Sequence, residues 1–142
     1  MRVVLPAGHP AARQRVVRLA DLAGETWIRS TARSSCHPFT ERACRAAGFE
    51  PRIRAEFDDY AGMQGLVAAG GGVAFAPDLG LTRLDPGVAV RPLAFGPKRR
   101  VLAARRAGEE DAAGIPELVT SLREALAGRE PLFPAAAGSR GA

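Results

Sequence analysis

The stretch from Arg52 to Pro77 constrains this chain most, because it spells a strand, a helix and a second strand with every boundary marked. Arg52-Ile53-Arg54-Ala55-Glu56-Phe57 alternates charged and apolar residues, which predicts a half-buried strand with Ile53, Ala55 and Phe57 on one face. Asp58 and Asp59 then offer an N-cap and early negative charge to a helix, where free N–H groups and the helix dipole favour carboxylates. Met63, Leu66 and Val67 recur at the spacing of a buried helical stripe, and Gly70-Gly71-Gly72 closes it. Val73-Ala74-Phe75-Ala76-Pro77 is apolar without alternation, as expected of a strand covered on both faces. Strand, helix and strand in that order imply a parallel pair joined by a right-handed crossover.

The rest of the chain extends this unit. Arg2 to Pro6 reads as a strand and Ala7-Gly8-His9-Pro10 as the turn that ends it, with His9 a turn histidine that has no nucleophile in its motif. Val17, Leu19 and Leu22 suggest a helical turn closed by Gly24, leading into a strand at Glu25-Thr26-Trp27-Ile28-Arg29. A helix that begins near Cys36 to Pro38 follows, carrying Phe39, Ala43, Cys44 and Ala47 inward and stopping at Gly48. Three strands linked by two helices thus place their carboxyl ends along one sheet edge, where open α/β sheets bind ligands. Val88 to Leu93 contains Pro92 and so belongs at a sheet edge or a crossing, and Val101-Leu102-Ala103-Ala104 reads as a further short strand. Ile115, Leu118, Val119, Leu122, Ala125 and Leu126 mark a last amphipathic helix stopped by Gly128.

Composition narrows the function classes. A chain of 142 residues suits one domain, and its net charge of +5 comes from arginines spread along the sequence. The clusters Arg13-Arg15-Arg18 and Lys98-Arg99-Arg100 read as solvated turns and not as a nucleic-acid face. No apolar run reaches the roughly 20 residues of a membrane span, and Pro6 and Pro10 interrupt any leader, so the expected location is the cytoplasm. Cys36 and Cys44 lie about 12 Å apart if they share a helix, too far for a disulfide, and read as reduced thiols. Cys36, His37 and Cys44 lack metal-ligand spacing, and Gly70-Gly71-Gly72 follows a helix, the reverse of a phosphate loop.

Three segments in order carry a family resemblance: VVLPAGHPAA, then DLAGETWI with CRAAGFEPRI, then FDDY with VAAGGGVAFAP. Together they resemble the effector-binding domain of LysR-type transcriptional regulators. The resemblance implies an α/β fold of the periplasmic-binding-protein type 2 kind, in which two lobes joined by crossing strands enclose a ligand cleft. On this chain, residues 1–86 would be the complete second lobe, 87–128 the returning strands and helix of an incomplete first lobe, and 129–142 a disordered tail. The opening half of the first lobe and the winged helix-turn-helix have no counterpart, so the resemblance is to a regulator truncated at its N-terminus. DNA would be reached only through that absent winged helix.

The same resemblance assigns a ligand wall: Ser30, Thr31, Arg33, Ser34 and Ser35 before one helix, Asp59 and Tyr60 before the next, and Phe75, Ala76 and Pro77 at the end of a strand. Hydroxyls and N–H groups at a helix start beside Arg33 suit an anion or carboxylate, although Ser34 and Ser35 could equally serve as caps. The implied function is sensing of a small-molecule effector, without catalysis, cofactor or metal. The last helix, short of cover, would favour a homo-oligomer such as a dimer. Two rival readings are a small hydrolase or transferase, for which no GxSxG or HExxH motif is present, and a solute-binding protein of the same fold.

Overall fold

The structure, a computed structural model, describes residues 1–96, 98–109 and 112–127. The chain divides into two compact units with the boundary between Lys98 and Arg99. The first is built on a five-stranded sheet of β1 (Arg2–Pro6), β2 (Thr26–Ser30), β3 (Arg52–Phe57), β4 (Val73–Ala76) and β5 (Val88–Pro92), in the order β3-β2-β4-β1-β5. Two helices, α1 (His37–Ala46) and α2 (Tyr60–Ala68), connect β2 to β3 and β3 to β4.

β2 lies between β3 and β4 and runs parallel to both, so the parallel relation read from the Arg52–Pro77 unit is realised across an intervening strand. β1 runs antiparallel to β4 and to β5, and β5 closes the sheet as an edge strand, where Pro92 removes no ladder bond from a central position. Side-chain parity sorts the strands into two layers. Val3, Leu5, Trp27, Val73 and Phe75 meet Ala43 and Cys44 of α1, while Val4, Ile28, Ala74 and Ala76 meet Met63 and Val67 of α2. β4 is buried along its whole length, as an apolar run covered on both faces should be. Each of the larger side chains here contributes about 1.5 to 3 kcal/mol by leaving water.

Three expectations are corrected. Ile53, Ala55 and Phe57 do not share a face: the β2–β3 register shifts between Trp27 and Ile28, so that Trp27 pairs with Ile53 but Ile28 with Ala55. That bulge leaves Ile53 in the α1 layer and moves Ala55 and Phe57 into the α2 layer. On α1 the buried stripe is Thr40, Ala43 and Cys44, with Phe39 and Ala47 only half-buried at its margins. Val101 to Ala104 forms no strand, and Val101 and Leu102 are exposed, because no described neighbour pairs with their backbone.

The start of β4 depends on Gly72. Its φ of +146° is a conformation that side chains rarely adopt, and a Cβ there would sit 2.4 Å from the Thr26 carbonyl oxygen. Only glycine lets β4 approach β2 so closely. In the second unit, α3 (Ile115–Ala127) forms as the periodicity predicts, with Pro116 in its first turn and no buried residue. The Gly128 stop and the tail 129–142 lie outside the described residues.

Candidate functional site

Because β2, β3 and β4 are parallel, the chain leaves all three at the same edge of the sheet, and the connections at Thr31–Cys36, Asp58–Asp59 and Pro77 meet there. The first two are tied directly. The Thr31 N–H donates to the Phe57 carbonyl at 3.1 Å, and the Thr31 hydroxyl donates to the Asp58 carboxylate. Asp59 caps α2, its carboxylate accepting the Gly62 N–H at 2.7 Å, as its place before the helix predicts. Tyr60 then reaches back across the edge, its hydroxyl 3.5 Å from Cys36 Sγ. The third connection folds over the same ring: a Cβ on Gly80 would lie 2.4 Å from Tyr60, so the turn Asp78–Gly80 rests against Tyr60 through a bare glycine.

The segment before α1 is a run of tight turns. Ser34 N–H donates to Thr31 O at 2.9 Å, His37 N–H to Ser34 O at 3.0 Å, and Cys36 N–H to Ser34 Oγ at 3.1 Å. The Ser34 hydroxyl is thereby engaged in the turn, which is the capping role that serine at this position also suits. His37 anchors the other side: its Nδ1 stands 2.8 Å from the Ser30 carbonyl, which only accepts, so Nδ1 carries the proton. Arg33 and Ser35 are exposed, and among the described residues no carboxylate pairs with Arg33. An anion approaching this edge meets the Arg33 guanidinium and the hydroxyls of Ser35 and Tyr60, with the Asp58 and Asp59 carboxylates close by, while the first N–H groups of α1 are bonded within the turn or, at Pro38, missing.

The predicted wall residues therefore separate into two groups. Thr31, Arg33, Ser34, Ser35, Asp59 and Tyr60 come together on the edge, whereas Ser30, Phe75, Ala76 and Pro77 are buried beneath it. Phe75 faces the α1 layer, its ring centroid 4.8 Å from that of Trp27. Two residues at the edge escaped the sequence reading. Arg2 is buried at the start of β1, opposite Ala76, and its Nε donates to Asp78 Oδ1 at 2.7 Å. The one signal for it was a charge opening an otherwise apolar strand.

Thiol chemistry divides along the same helix. Cys36 is at the edge, at the N-cap of α1, while Cys44 is fully buried in the core. Burial, reinforced by the Glu50 carboxylate, pushes the Cys44 thiol up to about 12, so it stays neutral near pH 7. Among the described residues no group of three metal-ligating side chains converges.

Residues 1–127 match the family model of the LysR substrate binding domain. The chain is similar to the small neutral protease regulatory protein of Streptomyces coelicolor, 40% identical over 112 residues that make up 78% of this chain and 33% of that protein. It spans about a third of the length of the curated relatives it matches. Among solved structures, the CcmR regulatory domain of Synechocystis PCC6803 in complex with 2-PG gives a TM-score of 0.72 at 17% identity, over 87% of this chain and 61% of that one. The effector binding domain of QuiR in complex with shikimate gives 0.57 at 22% identity, over 69% of this chain and 46% of that one. At these identities the two structures establish the fold. With a family model matched from its first residue to its 127th, the chain belongs to the LysR substrate binding domain family.

Proposed function

We propose that this chain is the effector-sensing and oligomerising part of a LysR-type transcriptional regulator, acting by binding a small anionic molecule and without catalysis. The observation that carries this reading is the convergence of the Thr31–Cys36, Asp58–Asp59 and Pro77 connections on one sheet edge, with Arg33 and Ser35 exposed there. Thr31, Arg33, Ser35 and Tyr60 are the residues assigned to the ligand, Ser34 and Asp59 hold the loops that present them, and Ser30, Phe75, Ala76 and Pro77 support the wall from beneath. Shikimate, the compound with QuiR, is itself a carboxylate, which supports an anionic effector for this edge.

Residues 1–86 are assigned to one lobe of the sensing domain and 87–128 to the segment returning towards a second lobe. The cytoplasm is the compartment in which such a sensor would meet DNA through a winged helix elsewhere in its regulator. A small effector would work by population shift, favouring one arrangement of the oligomer over another.

The test is thermal denaturation against a panel of small carboxylates and phosphates, followed by calorimetry on any hit. A ligand present at 100 times its Kd should add about 2.7 kcal/mol of stability. Arg33→Ala should weaken the hit about tenfold or more while leaving the unliganded melt in place. Stabilisation insensitive to Arg33→Ala, or consumption of the ligand during the assay, would contradict the proposal.

A further inference from the structure

Away from the sheet edge, α1 and the turn at Arg18–Ala20 border an open groove of about 590 Å³. Its apolar lining includes Ala43, Ala46 and Ala47 with Leu19, together with Phe39 and Phe95. Phe95 is fully exposed and stands at φ +56°, a left-handed backbone unusual for an aromatic residue. Every charged residue lining the groove is a cation: Arg18, Arg42 and Lys98. Arg18 is paired with Asp21 at 2.8 Å. Arg42 lies over the Phe39 ring at 5.2 Å, and among the described residues no carboxylate pairs with Arg42 or Lys98.

We propose that this groove receives an amphipathic helix with acidic flanks from a partner protein. Alanines at i, i+3 and i+4 let a second helix backbone come close, and the lining residues Phe39 to Ala47 span about 12 Å along α1, roughly two turns of a docked helix. The charge selects the occupant. An apolar face between Phe39 and Phe95 satisfies the apolar lining, and flanking carboxylates meet the cations. A second copy set groove to groove would instead bring Arg18, Arg42 and Lys98 against the same cations, in a chain that already carries a net charge of +5. Nucleic acid suits the cations but not the apolar lining, since a phosphate backbone offers no apolar face.

Fluorescence anisotropy of the whole chain with two labelled model helices tests this. Both carry leucines at i, i+3, i+4 and i+7, one flanked by glutamates and the other by lysines. The glutamate helix should bind about tenfold or more tightly than the lysine helix, and the preference should shrink with salt. Ala46→Glu and Arg42→Glu, both at exposed positions, should each weaken it by about tenfold or more while the melting temperature holds. Chemical-shift perturbation by NMR should fall on residues 18–20, 39–47 and 94–96. Equal binding of the two helices, no binding of either, or indifference to Ala46→Glu would overturn the proposal. So would sedimentation in which Ala46→Glu turns a dimer into a monomer that the glutamate helix never displaced, since the occupant would then be a second copy.

Discussion

Two helices of this chain carry apolar residues at helical spacing and meet opposite fates. α2 has Met63 and Val67 buried almost completely, whereas α3 leaves Leu118 at 55%, Leu122 at 44% and Leu126 at 57% exposure. Composition already separates them. α2, YAGMQGLVA, is apolar or small nearly all round, and its one long polar side chain, Gln64, is buried with both amide ends used. Gln64 Nε2 donates to Arg83 O at 3.2 Å, and its Oε1 accepts the Asp85 N–H at 3.0 Å. α3 sets its leucines against Glu117, Arg123 and Glu124, the pattern of a helix with one wet face. Periodicity thus says that a helix has a face to cover. Whether something covers it depends on tertiary neighbours, which α2 finds in β1 and β4 and α3 does not find among the described residues of its own unit.

The largest expected effect separates the two helices by stability. Met63→Ala should cost about 2 to 5 kcal/mol in chemical denaturation, through lost burial and the cavity left against Ile28 and Ala74. Leu122→Ala on α3 should cost under about 0.5 kcal/mol, the range of surface substitutions. Similar losses from both would mean that α3 is covered after all.

The helix α1 sharpens the contrast through pH, since its buried stripe includes a titratable group. The folded pKa of Cys44, about 12, lies above its ordinary value of 9.0. The stability contributed by the neutral thiol is therefore complete below about pH 9 and is lost as pH rises towards 12, by up to about 1.4 kcal/mol per pH unit. Cys44→Ala should flatten that alkaline decline relative to the parent chain, as measured by urea midpoints between those pH values. A decline unchanged by the substitution would mean the thiol is not the group responsible.

A smaller effect belongs to the start of α2. Asp59→Ala removes the acceptor of the Gly62 N–H and should cost about 1 kcal/mol, with Asp59→Asn retaining most of it. Equal melting of the alanine and asparagine variants would place the role of Asp59 outside capping.

Much of the fold was legible wherever a local rule and the tertiary outcome agree. β4 declares itself by an unbroken apolar run, and Asp59 by standing before a stripe. The β2–β3 bulge was not legible, because register is settled by which pairs of strands fit, and Ile53 changes layer without any change in its own sequence pattern. Val101 to Ala104 has strand composition but lacks a described partner, and composition cannot supply one. At the candidate site, Thr31 and Ser34 came from the family resemblance, and the structure has them in the connection between β2 and α1. Phe75 was read onto the edge, yet parity with Val73 turns it into the α1 layer. Arg2 and Asp78 stand 76 positions apart, so only the antiparallel pairing of β1 with β4 reveals that they meet.

The smallest expected change in stability goes with the clearest change in behaviour. If the stripe on α3 is surface that seeks a partner, Leu118→Gln combined with Leu122→Gln should leave the unfolding midpoint within about 0.5 kcal/mol of the parent chain, since neither side chain is buried. The same pair should lower self-association in sedimentation velocity across a concentration series, because each large side chain brought out of water in a contact contributes about 1.5 to 3 kcal/mol. The matched double change on α2, Met63→Gln with Val67→Gln, should instead unfold the first unit, placing two amides in a buried apolar layer. If the α3 variant unfolds as readily as the α2 variant, its leucines are core, and the distinction between the two helices disappears. If it stays folded and associates as before, the leucines are bystanders, and any contact between copies of this chain does not run through them.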